Sequence, residues 1–222
     1  AFALGLFVFL GQAQAETRRY AVLIGSNEGH ADEERLRFAE DDARRLSDVL
    51  RRLGDFSDSD LVLLEGPDAN RAKRVLTEMA RRIELETEAG DEVLFFVYYS
   101  GHADNNAMHL GRSDLSFSKV KGLVNATPAK LRVLVLDACR SGDVIRTRGG
   151  VPADNFEFKA ENNLETEGLA IIASSAAGED AQESDRLGGG IFTHHFVNGL
   201  AGAADATTDG RITLTEAYNY AY

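Results

Sequence analysis

Sulfur, basic charge and long apolar runs are what this 222-residue sequence has least of. Cys139 is its single cysteine, so no internal disulfide forms and no disulfide framework staples the chain. Lysine and arginine number 24 against 36 aspartates and glutamates, a net charge of −12. That balance excludes nucleic acid or an anionic membrane as a partner held by bulk electrostatics, and it is compatible with basic substrates. The N-terminal apolar run, Phe2 to Leu10, falls short of the roughly 20 residues that a membrane-spanning helix needs, so no stable membrane anchor is expected. It leads to Ala13-Gln14-Ala15, the small-x-small pattern of a signal-peptidase site. Residues 1–15 therefore read as the remnant of a secretory signal. Residues 16–222 read as one exported domain, periplasmic or extracellular in a bacterium. A buried N-terminal strand or helix is the other reading of the same run.

What is present centres on Leu131-Arg132-Val133-Leu134-Val135-Leu136, a run of β-formers with almost no polar break. Such a run predicts a strand buried on both faces of a parallel sheet. It stops at Asp137-Ala138-Cys139-Arg140-Ser141-Gly142. A second apolar run, Val93 to Tyr99, stops in the same way at Ser100-Gly101-His102-Ala103. If the two strands are parallel neighbours, Cys139 and His102 emerge side by side, where open α/β sheets place their ligand crevices. A cysteine beside a histidine is the minimal kit for nucleophilic catalysis: the imidazole takes the thiol proton and the thiolate attacks a carbonyl.

Strands and helices alternate around these two. Arg19–Ser26 and Asp60–Glu65 read as strands. Leu36–Leu53 and Asn70–Glu88 read as amphipathic helices, with Asp42 at the edge of the first helix's apolar stripe. Further along come a short hairpin arm at Met108–Leu110, a helix at Phe117–Val124, a buried strand at Leu169–Ser175 and a helix at Ile191–Leu200. Adjacent His194 and His195 point about 100° apart on that last helix and read as structural. The alternation predicts βαβ units with right-handed crossovers in a mainly parallel sheet.

The motifs Tyr99-Ser100-Gly101-His102-Ala103 and Asp137-Ala138-Cys139-Arg140-Ser141-Gly142 resemble those of the caspase-like superfamily of cysteine peptidases, which includes caspases, metacaspases and bacterial relatives. The likeness runs over most of residues 19–222. It implies an α/β three-layer sandwich, a mainly parallel central sheet flanked by helices. It implies a cysteine endopeptidase with Cys139 as nucleophile and His102 as general base and then acid. The oxyanion hole would be the main-chain N–H groups of Cys139 and Ala103. Ala103 stands where the family usually has glycine, which is harmless if no positive φ is needed there. The family generally orients the histidine with a backbone carbonyl. Asp137, with Asp42 on the first helix, matches the acidic specificity pocket of metacaspases, which implies protein or peptide substrates cut after Arg or Lys. Two carboxylates in one pocket repel unless a cation joins them, which also favours such a guest.

Residues 143–167 are long, polar and aperiodic. They occupy the place of the linker between the family's large and small catalytic parts, with Arg146 and Arg148 as the expected self-cleavage points. The dyad requires no cofactor. Ca²⁺ is a candidate ion, because Asp205 to Glu216 fits a twelve-residue EF-hand loop with Asp205, Thr207, Asp209 and Glu216 as ligands. The same stretch also reads as a turn and cap before the last helix. Two other functions fit these features: a non-catalytic caspase-like interaction domain, and a calcium-sensing module.

Overall fold

The computed structural model describes residues 17–138, 168–174 and 183–222. Five parallel strands form its centre: β1 (Thr17–Ser26), β2 (Leu61–Glu65), β3 (Glu92–Gly101), β6 (Leu131–Asp137) and β7 (Gly168–Ala173), in the order β2-β1-β3-β6-β7. The apolar runs lack a polar face because neither face of the sheet meets water. Successive side chains point to opposite faces of a strand. Val22, Ile24, Phe95, Val97, Tyr99, Leu134 and Leu136 enter one core. Ala21, Leu23, Phe96, Tyr98, Val133 and Val135 enter the other. Each fully buried large side chain, such as Phe95 or Leu134, contributes roughly 1.5–3 kcal/mol through removal from water.

Helices cover both faces. The first core is closed by α2 (Ala69–Glu86) and α3 (Phe117–Asn125), the second by α1 (Ala39–Leu53), α4 (Ile191–Asn198) and α5 (Leu214–Ala221). This is the three-layer α/β sandwich expected from the sequence. Two small antiparallel pairs decorate it: β4 (Ala107–Leu110) with β5 (Ser113–Ser116), and β8 (Glu183–Ser184) with β9 (Gly189–Gly190). No helix among the described residues is long and apolar enough to cross a membrane.

One boundary differs from the periodicity reading. Helix α1 begins at Ala39, three residues later than the apolar spacing predicts. The Leu36 N–H donates to the Asn27 carbonyl, and the Arg37 and Phe38 N–H groups donate to the Glu183 carboxylate. Those donors are drawn out of the helical ladder, and a carboxylate at a helix start is favoured by the helix dipole. The same shift seats residues 27–38 over the carboxyl ends of the strands. Asp42 is also deeper than the stripe suggested: it is 1% exposed.

Candidate active site

Strands β3 and β6 are parallel neighbours, with Ser100 paired to Asp137. The chain therefore leaves them toward residues 102 and 139 from one edge of the sheet. Cys139 itself lies outside the described residues, as do Arg146, Arg148, the rest of 143–167, and residues 1–15. The last described residue before the cysteine, Ala138, is buried.

His102 is held from three sides. Its Nε2 lies 2.7 Å from the Glu34 carbonyl oxygen. A carbonyl only accepts, so Nε2 carries the proton and Nδ1 keeps the lone pair that a base uses. The backbone carbonyl expected as orienting partner is thus supplied by the loop between β1 and α1. Beneath the turn, the Tyr99 hydroxyl stands 2.5 Å from the His102 carbonyl oxygen and 3.1 Å from that of His109. The His109 N–H also donates to the His102 carbonyl, at 2.8 Å. Gly101 is what admits the phenol: a Cβ there would stand 2.5 Å from the Tyr99 hydroxyl oxygen and 3.0 Å from the Ser26 carbonyl oxygen. On the third side, Glu33 Oε1 is 3.9 Å from His102 Nδ1 and 2.8 Å from His109 Nδ1. Burial pushes the Glu33 carboxyl up, but the His30 N–H and the imidazoles of His109 and His102 outweigh it and hold it below its ordinary range.

Ala103 is buried and bridges to Met108. Asp55 and Thr208 are the only non-glycine residues with positive φ among those described, so alanine is unstrained at position 103.

The two expected pocket carboxylates come together. Asp42, on the first turn of α1, and Asp137, at the end of β6, flank the main chain of Gly190. A Cβ on Gly190 would stand 2.7 Å from Asp137 Oδ2 and 3.0 Å from Asp42 Oδ2, so only glycine lets the backbone pass between them. The Gly190 N–H donates to Asp42 Oδ2 at 2.8 Å. Arg45, one turn along α1, pairs with Asp42 Oδ1 and donates to the Gly188 carbonyl at 2.7 Å. The Thr193 hydroxyl donates to Asp137 Oδ2 at 2.6 Å and in turn lies 2.6 Å from the Tyr98 hydroxyl. Burial pushes Asp42 up to about 7, with Gly190 and Arg45 pulling it down and Asp137 adding to the rise. Burial likewise pushes Asp137 up, against the pull of Thr193, and Glu183 adds to the rise. The site is short of positive charge for the carboxylates it buries.

The Asp205–Glu216 loop closes on its own donors. Asp205 accepts from the N–H groups of Asp209 at 3.2 Å and Gly210 at 2.9 Å. Glu216 forms a capping box with Thr213 at the start of α5. His194 contacts Asn198 at 3.0 Å, and the His195 ring packs beside Tyr220.

Several members of the site carry no local sequence signal. The Glu34 carbonyl is main chain. Glu33, Arg45 and Thr193 look like solvated residues until the fold brings them in. Tyr99 directly precedes the Ser-Gly-His motif, and a tyrosine there is its one visible cue.

The class of protein is set by this architecture together with a sequence-family match. The caspase domain family matches residues 18–219. The crystal structure of caspase-1 from Spodoptera frugiperda matches with a TM-score of 0.57 at 15% identity, over 84% of this chain and 71% of that one. At that identity the likeness speaks for the fold. No curated protein matches the sequence. The chain belongs to the caspase-domain family of cysteine peptidases.

Proposed function

We propose that this chain is a cysteine endopeptidase that cleaves after arginine or lysine, with Cys139 as nucleophile and His102 as the base that activates it. The observation that carries the specificity is the pair of buried carboxylates on either side of Gly190. Asp42 and Asp137 are both pushed above the ordinary carboxyl range. A substrate guanidinium or ammonium would relieve their repulsion through charge-assisted hydrogen bonds.

The chemical sequence follows from the tautomer. His102 Nδ1 accepts the thiol proton while Nε2 stays on the Glu34 carbonyl. The thiolate adds to the scissile carbonyl, and main-chain N–H groups at Ala103 and Cys139 would receive the oxyanion. His102 then returns the proton to the leaving amine, and water hydrolyses the acyl-enzyme by the reverse use of the same base.

A peptide library tests the reading. Wild type is expected to cut after Arg and Lys. Cys139→Ala and His102→Ala are each expected to retain the fold and lose turnover by about a thousandfold or more, the scale on which removing a member of such a unit acts. A profile dominated by Asp before the cut bond, or a Cys139→Ala protein with wild-type turnover, would end it. The non-catalytic alternative gains nothing from keeping both Cys139 and His102.

The contacts of the pocket favour one second reading. Asp42 and Asp137 already hold the Gly188–Gly190 backbone and Thr193, so the network also serves as a clamp that ties β9 and α4 to α1 and β6. The clamp alone would make Asp42→Asn a stability variant with an unchanged KM for arginyl peptides.

Two further parts of the proposal concern residues outside the described ones. The domain is exported once residues 1–15 are removed. The 143–167 segment is cut by the enzyme itself after Arg146 or Arg148, because those arginines suit the same pocket. Mass spectrometry of wild type and Cys139→Ala, incubated with and without Ca²⁺, checks the second. New termini at Thr147 or Gly149 are expected in wild type alone, with or without the ion, and equal nicking in both proteins would remove self-cleavage from the mechanism.

A further inference from the structure

Three of the chain's five histidines gather at one place, around Glu33. His30 and Glu33 come from the loop between β1 and α1, and His109 from β4. One ligand atom from each of these three residues lies within 4.8 Å of the other two. The third histidine, His102, has Nδ1 3.9 Å from Glu33 Oε1.

We propose that His30, Glu33 and His109 form a binding site for a divalent cation of the zinc class, beside His102 but separate from the proposed dyad.

The state of the His109 ring argues for it. Nδ1 lies 2.8 Å from a carboxylate oxygen, which only accepts, so the proton sits there. Nε2 is buried and has no hydrogen-bond partner among the described residues. An unsatisfied polar atom inside a protein is costly, and this one faces Asp104 Oδ2 across 3.8 Å. Asp104 is fixed by its other oxygen, which accepts from the Asn106 and Ala107 N–H groups at 2.7 and 2.8 Å. A metal ion resolves the mismatch. It replaces the proton between His109 Nδ1 and Glu33, and the imidazole proton moves to Nε2, where a carboxylate waits. Metal-bound imidazoles generally donate their second N–H to such a group.

His30 carries the same arrangement from the other side. Its Nε2 lies 2.6 Å from Asp114 Oδ1, so Nε2 bears the proton and Nδ1 is the free donor. Its ring stacks on His109 at 3.9 Å between centroids, so the two imidazoles lie together beside Glu33. The His30 side chain is 36% exposed, so its ring has room to turn toward an ion. Two imidazoles and one carboxylate suit zinc and its borderline neighbours and do not suit Ca²⁺ or Mg²⁺, which prefer oxygen alone. Three protein ligands leave the fourth tetrahedral position open. The ion would tie the β1–α1 loop, which carries the Glu34 carbonyl, to the β4–β5 hairpin.

The test uses the Cys139→Ala chain, which removes the only thiol as a competing ligand. Zn²⁺ titrated by calorimetry is expected to bind at one site with a micromolar or lower Kd and to raise the unfolding temperature. Co²⁺ should give the visible absorption of a tetrahedral site, and excess Ca²⁺ should displace neither ion. His30→Gln and Glu33→Gln, both at solvent-accessible positions, should each weaken Zn²⁺ at least tenfold while the protein stays folded by circular dichroism. No Zn²⁺ binding, or binding of equal strength in both variants, as would follow from a site at His194 and His195, would overturn the proposal.

Discussion

The edge at His102 and the pocket at Gly190 are both polar and both lie where strands end, yet their charges are balanced in opposite senses. At His102 the carboxylate is matched. Glu33 faces the His30 N–H and two imidazoles, and it stays below the ordinary carboxyl range. The imidazole's own proton rests on a main-chain oxygen. In the pocket, Asp42 and Asp137 are buried with Arg45 as the cation on Asp42, and both lie above the ordinary range. In the first region the neighbouring groups already balance the Glu33 carboxylate. The second would be completed by added positive charge, which the proposed Arg or Lys substrate side chain would bring. Changes at His102 should therefore act on kcat, and changes in the pocket on KM and on stability.

The largest effect that separates the regions is expected from Asp137→Asn. The amide keeps an acceptor for the Thr193 hydroxyl and removes the charge. Arginyl peptides should lose about 2–5 kcal/mol in kcat/KM, roughly 30-fold or more, because a buried cation loses its partner. Peptides with a neutral residue before the cut should lose far less. Equal losses on both substrates would break the comparison, since the aspartate would then serve the fold alone.

A smaller effect is expected in the pH dependence of stability. Asp42 has a folded pKa of about 7 against an ordinary 3.8, a shift that burial causes. A carboxyl whose pKa rises on folding stabilises the protein while protonated in both states, below about pH 4. That contribution is lost as pH climbs toward 7. Asp137 shifts in the same direction and adds to the loss. Urea unfolding should show wild type weaker at pH 8 than at pH 5, and Asp42→Asn should remove about 2–4 kcal/mol of that difference. A slope of the opposite sign in wild type, or one that Asp42→Asn leaves intact, would place the charge stress elsewhere. A bound arginine analogue should flatten the wild-type slope, since it supplies the missing cation.

Much of this was readable in the sequence, for physical reasons. Parallel strands buried on both faces write themselves as unbroken apolar runs, so β1, β3, β6 and β7 were visible, and with them the layers. Their ends were visible because polar and glycine residues interrupt the runs abruptly. Asp42 and Asp137 were legible through their place in motifs, though the depth of Asp42 was not: a carboxylate on an amphipathic helix normally faces water, and this one is buried by contacts from residues 188–193. Helix α1 starts later than its apolar spacing implies, because the Glu183 carboxylate that captures the Arg37 and Phe38 N–H groups lies almost 150 positions away. Glu34 could not be read at all, since its contribution is a carbonyl that any residue provides.

The smallest effect tests the His102 side of the comparison, through Tyr99→Phe. The phenol is fully buried and its hydroxyl reaches the His102 and His109 carbonyls. Removing the oxygen leaves the ring's packing intact, so the change is confined to that hydrogen bonding. The His102 carbonyl keeps the His109 N–H as a donor, so the loss falls short of a fully orphaned acceptor. Stability should drop by about 0.5–1.5 kcal/mol. With one of the constraints on the turn gone, His102 should sample more positions, and kcat on an arginyl peptide should fall by several-fold. KM should not move, because Tyr99 points into the core opposite the one that holds Tyr98 and Thr193. Stopped-turnover and steady-state assays on the same substrate separate the two constants. A Tyr99→Phe protein that loses stability but keeps kcat would reduce the residue to packing. One that changes KM instead would show that the two regions communicate through β3, where Tyr98 and Tyr99 are neighbours in the chain but face opposite cores.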